Sequence, residues 1–274
     1  MRVISPAKLN LSLSVGPVRD DGFHQVDSFF HLISLHDVLS LCSAPNFGFS
    51  SSVNLGISDE DNLVLRAARA MAELYDKELP AVHLELEKNI PHGAGLGGGS
   101  SNAAATIFAL SKLWSLQPND PKHLALAAEL GSDVPLFLAP TTASVMTGRG
   151  ELLAQSRKPL QLKHILLVKP KDAQSPTGAV YRAFDADPQP THDVDIWKNN
   201  LELAAIAVSP QTGEALDWLR TQQGVELAQV AGSGSACWTH FATQGDLEYA
   251  ADAAQQKGYW LAKTSTVDTG IHLQ

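Results

Sequence analysis

The sequence predicts an α+β protein of two domains. Its 274 residues amount to roughly two domains of ~150. Stretches of strict two-residue alternation sit among stretches whose apolar residues recur at helical spacing. A polar linker candidate, Gln155 to Lys163, separates an N-terminal part (1–158) from a C-terminal part (159–274). With 44% hydrophobic and 18% charged residues, the composition is that of an ordinary globular chain.

Ala7, Leu9, Leu11, Leu13 and Val15 alternate with Lys8, Asn10, Ser12 and Ser14, which predicts a half-buried strand with Lys8 and Asn10 on its polar face. A turn is expected at Asp20-Asp21-Gly22, then one or two strands from Val26 to Leu41. Leu63, Ala67, Ala70, Met71 and Leu74 mark a helix, with Asp59 or Asp61 as its cap. Val82, Leu84 and Leu86 alternate with His83, Glu85 and Glu87, a second strand with one wet face. After a glycine-rich segment, Ser100-Ser101-Asn102 is expected to cap a helix from Ala103 to Leu116. Leu124 to Leu130 reads as a helix stopped by Gly131, and Ser132 as the cap of the next. The C-terminal part reads as strand His164 to Val168, helices Ile196 to Val208 and Ala215 to Gln222, strand Leu227 to Val230, strand Ala236 to Phe241, helix Asp246 to Gln256 and strand Tyr259 to Ser265.

A net charge of −9 argues against holding nucleic acid or an anionic membrane by the overall field, so any anionic ligand needs local machinery. Apolar stretches such as Ala103 to Leu110 fall short of the ~20 residues of a membrane span. Lys8 and Asn10 interrupt what would be a secretory signal, leaving cytoplasmic residence as the expectation. Two cysteines allow one bridge at most, and ten histidines show no metal-binding spacing, so no protein-ligated metal is expected.

The chemistry is concentrated in Pro91-His92-Gly93-Ala94-Gly95-Leu96-Gly97-Gly98-Gly99-Ser100-Ser101, between a strand and a helix. Free backbone N–H groups and a helix N-terminus there make a phosphate site, with the hydroxyls of Ser100 and Ser101 available to phosphate or Mg²⁺. Gly93-x-Gly95-x-x-Gly98 satisfies a dinucleotide fingerprint, but the preceding strand alternates with charge instead of reading as continuously apolar. A P-loop fails because no Gly-Lys-Ser/Thr follows.

Three segments in order, Pro6-Ala7-Lys8-Leu9-Asn10, the glycine-serine loop and Gly232-Ser233-Gly234, make the chain resemble the GHMP kinases. The finer pattern is similar to one branch of that family: Asp21-Gly22-Phe23-His24, Asp61-Asn62-Leu63, Gly97 through Ala103, Gly131-Ser132-Asp133-Val134-Pro135 and Asn199-Asn200-Leu201-Glu202. The resemblance implies a two-domain fold with the active site in the interdomain cleft. It also implies ATP-dependent phosphorylation, with Mg²⁺, of the 2-hydroxyl of a cytidine-diphosphate-linked methylerythritol. The alternatives are another GHMP small-molecule kinase or a catalytically silent nucleotide sensor of the same fold.

By the same resemblance, Asp133 accepts or orients the acceptor proton, Lys8 holds that hydroxyl and the aspartate, and Asn10 touches the polyol. The loop from Pro91 to Ser101 takes the phosphates, with Asn62 and Lys88 on the adenine side. Lys88 reads equally as a solvated strand-end charge. Phe23 and Tyr181 are expected on the two faces of the cytosine ring and His24 at its edge, Tyr181 reading equally as a helix core residue. The chain departs from the family pattern with Phe23 in place of the usual tyrosine, with Ala231 before Gly232 where Ser or Thr is common, and with Arg149, where an apolar residue is more usual.

Overall fold

A computed structural model describes residues 1–274, the side chain of Gln155 excepted. In chain order the elements are β1 (Arg2–Val18), β2 (His24–Ser43), β3 (Gly48–Ser51), α1 (Leu63–Leu74), β4 (Val82–Glu87), α2 (Gly98–Leu113), α3 (Pro121–Leu130), α4 (Val134–Leu138), β5 (Ala143–Thr147) and β6 (Leu152–Ser156). They continue with β7 (Ile165–Lys169), α5 (Thr177–Ala186), α6 (Glu202–Val208), α7 (Pro210–Arg220), β8 (Val225–Val230), β9 (Cys237–Phe241), α8 (Gln244–Gln256), β10 (Trp260–Thr264) and β11 (His272–Leu273).

Seven strands form the first sheet, in the order β11-β1-β2-β4-β3 with β5 joining β2 and β6 joining β5. Four form the second, β10-β7-β9-β8. The chain therefore changes sheet between Ser156 and Ile165, and its last strand returns to the first sheet beside Val3 and Ile4. Helices α1 to α4 cover the first sheet through a core built on Phe30, Leu32, Met71, Ile107 and Phe137. Helices α5 to α8 cover the second, around Leu166, Phe184, Leu216 and Phe241.

A third core joins the two halves. Ala7, Leu9 and Leu11 of β1 pack against Ile165, Leu167 and Trp238 of the second sheet, with Ala94 and Leu96 of the glycine loop in the same cluster. Leu96 is almost completely buried. Emptying such a site by Leu→Ala typically costs about 2–5 kcal/mol, so the loop is part of the packed core and not a slack connector.

β1 departs from the half-buried strand that its alternation predicts: every residue from Val3 to Gly16 is buried. Its polar face, with Lys8 and Asn10, lies against the cleft, and its outer edge is covered three times. β11 pairs at Val3, the Leu96 carbonyl accepts from the Lys8 backbone N–H at 3.1 Å, and the Lys198 carbonyl accepts from Leu13 N–H at 2.8 Å. That last contact also corrects the helix expected from Ile196. Asn200 N–H donates back to the Leu13 carbonyl, which holds residues 198–200 extended along β1 and delays α6 to Glu202.

Two helices start ahead of expectation, α3 at Pro121 behind its Asp120 cap and α7 at Pro210, in place of Leu124 and Ala215. Three starts at the cleft differ for local reasons. Asn62, not Asp59 or Asp61, caps α1, its Oδ1 accepting from Val64 N–H at 3.0 Å. α2 begins at Gly98, with Gly97 as N-cap at φ +71, so Ser100, Ser101 and Asn102 already lie within the helix. α4 is capped by Asp133 and not by Ser132, and makes no side-chain capping bond. That leaves the Asp133 carboxylate for other work. No helix among the described residues is long and apolar enough to cross a membrane.

Candidate active site

The two halves enclose a cleft of about 810 Å3. The glycine loop forms one wall, and its position is fixed from the other half of the molecule. Ser235 N–H donates to the Gly93 carbonyl at 3.2 Å and Ala236 N–H to that of Ala94 at 3.3 Å. The loop passes so close to the second glycine turn that a Cβ at Gly95 would collide with the Ala231 carbonyl oxygen. At Gly97 the left-handed backbone turns the chain into α2, and a Cβ there would meet Phe137 at 2.9 Å and Lys8 at 3.0 Å. The glycines thus serve the packing of the loop as well as access to its N–H groups.

Pro91 through Ser100 line the cleft, whereas Ser101 does not. Successive helical residues point about 100° apart, and Ser101 is fully buried with its Oγ 2.7 Å from Ser5 Oγ. Ser100 is therefore the hydroxyl at the head of α2 that faces the cleft, and Ser101 is corrected to a core residue.

Lys8 and Asp133 come together from opposite ends of the N-terminal part. Lys8 Nζ lies 3.6 Å from Asp133 Oδ2 and donates to Asn10 Oδ1 at 2.6 Å. Asn10 Nδ2 in turn donates to Ser28 Oγ at 2.7 Å, and Ser28 donates to the Ser12 carbonyl at 2.7 Å. This buried chain fixes the Lys8 ammonium without neutralising it. Its charge is left to Asp133, whose side chain remains one-third exposed to the cleft.

Phe23, His24 and Tyr181 all stand on the wall of the same cleft. His24 is held by two polar contacts: Nδ1 lies 2.9 Å from the Gly16 carbonyl and Nε2 3.2 Å from Asp185 Oδ1. Its ring is 5.1 Å from that of Tyr181. Burial, with the Asp133 charge adding to it, pushes the Tyr181 hydroxyl up to about 12, so it remains a donor at neutral pH. Phe23 is half exposed.

Asn62 and Lys88 also line the cleft, near the N-terminus of α2. Lys88 is not a solvated strand-end charge, because its Nζ is buried and donates to Asp37 Oδ2 and to the Ile90 carbonyl, both at 2.6 Å. Burial holds its ammonium below the usual lysine range, the Asp37 carboxylate opposing that shift.

Asp37, Ser28 and Asp185 escaped the sequence reading. Only Asp37 left a signal, an acid with Leu32, Ile33 and Leu35 on one side and Val38 and Leu39 on the other. His31, by contrast, lies outside the cleft lining and is fully buried, with both ring nitrogens bonded to backbone. No group of three or more metal-ligating side chains occurs among the described residues.

Residues 62–140 match the family model of the GHMP kinase N-terminal domain. A 4-diphosphocytidyl-2-C-methyl-D-erythritol kinase of Hyphomonas neptunium is 37% identical, over 95% of this chain and 94% of its own. This chain belongs to the 4-diphosphocytidyl-2-C-methyl-D-erythritol kinase family. The family member of Nitrosomonas eutropha is 36% identical over 88% of this chain and 87% of its own. A crystal structure of a 4-(cytidine 5'-diphospho)-2C-methyl-D-erythritol kinase superposes with a TM-score of 0.81 at 31% identity, covering 98% of this chain and all of that one. Beyond the family, homoserine kinase of Cytophaga hutchinsonii shares the fold, with a TM-score of 0.67 at 16% identity over 99% of this chain and 96% of that one.

Proposed function

We propose that the chain transfers the γ-phosphoryl group of ATP to the 2-hydroxyl of 4-diphosphocytidyl-2-C-methyl-D-erythritol. The observation that carries this reading is the Lys8–Asp133 pair, 3.6 Å apart, in one cleft with a glycine loop that heads a helix and a group of rings. The loop suits a triphosphate and the rings a nucleobase.

Phosphoryl transfer needs an acceptor hydroxyl in line with the γ-phosphate and compensation of charge on the transferring group. Asp133 Oδ2 accepts and orients the acceptor proton. A carboxylate is a weak base toward an alcohol, so orientation is the larger part of its work. Lys8, fixed by Asn10, holds the same oxygen and offsets charge on the transferring phosphoryl. The N–H groups at the head of α2 receive the phosphates. Phe23 and Tyr181 take the faces of the cytosine and His24 its edge, the base being bound while the polyol reaches back to Asn10. Asn62 and Lys88 border the adenine side. Among the side chains on the cleft wall, the Ser100 hydroxyl would help hold a Mg²⁺ entering with the nucleotide, and the ion would supply charge compensation there. Segments 1–158 and 159–274 are proposed as the two functional domains, with β11 returning to the first.

The test is ADP release with the cytidine-diphosphate-linked methylerythritol, against methylerythritol, homoserine and mevalonate as competing acceptors. Release that depends on the cytidylated acceptor is expected. Equal turnover of methylerythritol, or turnover of homoserine or mevalonate alone, would replace this acceptor with another, and silence with every acceptor would leave a nucleotide-binding sensor.

A further inference from the structure

Arg149 is the one charged departure in the sequence pattern that the mechanism above does not use, and it lines the cleft. It sits on the turn between β5 and β6, closed by Gly150 N–H donating to the Thr147 carbonyl at 3.1 Å. That turn is tied to β2 beside the aromatic group, where Val26 N–H donates to the Gly148 carbonyl at 2.8 Å. The side chain is held twice more. Its guanidinium carbon stands 4.9 Å from the centre of the Phe23 ring, and its Nε lies 3.7 Å from Glu151 Oε1, while Glu151 Oε2 accepts from Arg149 N–H at 2.6 Å. Among the described residues none accepts from its two terminal nitrogens.

We propose that Arg149 is a specificity-determining residue of this chain's acceptor site, its terminal N–H groups binding the diphosphate of a nucleoside-diphosphate-linked acceptor. This rests on the acceptor reading given above. The wall around Phe23 and Tyr181 presents the carboxylates of Asp133 and Asp185 to the cleft, so an anionic diphosphate linker passing there needs a cation. Lys8 is committed to the Asp133 pair and Lys88 to Asp37. Arg182 also borders the cleft, but among the described residues no ring and no carboxylate orients it. Arg149 is oriented by both, and a guanidinium stacked on a ring keeps its planar edge for two parallel bonds to phosphate oxygens. Much of the ordering cost of that contact is met before the ligand arrives.

The experiment is calorimetric titration of the intact protein with CDP and with cytidine, the ATP site being filled by a non-hydrolysable analogue. Wild type, Arg149→Gln and Arg149→Lys are compared, after circular dichroism has established that each is folded. Loss of a charge-assisted contact is expected to weaken CDP binding about 10- to 100-fold in Arg149→Gln, with cytidine affinity changed less than about threefold. Lysine, a point charge without the fork, should restore only part of the loss. In turnover, the acceptor KM should rise in parallel while the KM for ATP stays put. Unchanged CDP affinity, or equal weakening of CDP and cytidine, overturns the assignment, the second result leaving Arg149 as a packing partner of Phe23. A wild type that prefers CDP to cytidine through Arg149 but does not phosphorylate the proposed acceptor would defeat the functional reading and leave this one standing. A wild type that binds neither probe defeats both.

Discussion

Two lysines are buried in this molecule, and each faces a carboxylate. The side chains of Lys8 and Lys88 are 6% and 7% exposed. Their partners differ. Asp37 is completely buried and accepts from Lys88 Nζ at 2.6 Å, Asn89 N–H at 2.7 Å, Ile90 N–H at 2.8 Å and Asn102 Nδ2 at 2.9 Å. Those bonds use the ~four lone-pair sites a carboxylate has, and they clamp the strand end before the glycine loop to the helix after it. Asp133 lies farther from its lysine, at 3.6 Å, and is 34% exposed to the cleft. A carboxylate whose acceptor capacity is spent can hold a loop, whereas one with capacity left can hold a substrate proton. The two pairs look alike as residue types, and what separates them is saturation and access.

The largest expected effect comes from the open pair. Asp133→Asn and Lys8→Ala should each lower turnover by ~10²–10⁴-fold while the protein still folds and binds ATP, since orientation and charge terms of this kind have that size. Steady-state kinetics at saturating substrates, with nucleotide titration of the same preparations, reads both quantities. Near-normal turnover in both variants would break the distinction between the pairs.

The closed pair should respond in stability. Asp37→Ala leaves the Lys88 ammonium buried without a counter-charge, and breaking a buried pair in this way costs about 3–5 kcal/mol. Urea unfolding should register that loss. The double variant Asp37→Asn, Lys88→Met should recover part of it, because the unpaired charge is gone. A stable Asp37→Ala protein with lost turnover would instead make Asp37 part of the chemistry.

Much of this contrast is invisible in the sequence. The alternation around Lys8 and the glycine loop mark real elements, and the resemblance draws attention to Asp133. Yet two-residue alternation reports only that one face is polar. It does not say whether that face meets water or, as at Lys8 and Asn10, a cleft floor under a folded loop. Neighbouring serines likewise look equivalent in a string, and only the 100° helical step sends Ser101 to Ser5 and Ser100 to the cleft. Asp37 could not be matched to Lys88 and Asn102 before the register of β2 against β4 was known. The short strands β3, β5, β6 and β11 drew no assignment, since their pairing is decided by partners far away in the chain.

Beyond the open pair, the aromatic wall should affect binding and not the transfer step. Phe23→Ala and Tyr181→Ala are each expected to raise the acceptor KM about 5- to 150-fold, the equivalent of ~1–3 kcal/mol of lost stacking, with the KM for ATP unchanged. Phe23 is half exposed and Tyr181 packs against the core of the C-terminal half, so Tyr181→Phe, which keeps the ring, separates stacking from support. An unchanged acceptor KM in both alanine variants would move the base elsewhere.

The smallest effect belongs to a third buried basic group, one with no carboxylate bonded to it. His31 is fully buried, its Nε2 accepting from Leu160 N–H at 2.9 Å and its Nδ1 bonded to the Leu32 carbonyl at 2.8 Å. That arrangement requires the neutral ring with its proton on Nδ1. Burial lowers the pKa of His31 below its ordinary 6.5, while the Leu32 bond and the Asp268 charge oppose the shift. Just below that value the unfolded chain binds more protons at this position than the folded one, so stability rises with pH there. The contribution of His31 is complete above about pH 6.5 and is lost as pH falls toward its lowered folded value. Urea midpoints measured at about pH 7.5 and about pH 5.5 should therefore fall more in wild type than in His31→Gln, which can still accept from Leu160 but does not titrate. Parallel falls in the two proteins would mean that His31 already carries its proton in the fold, and that burial alone does not keep a basic group neutral here.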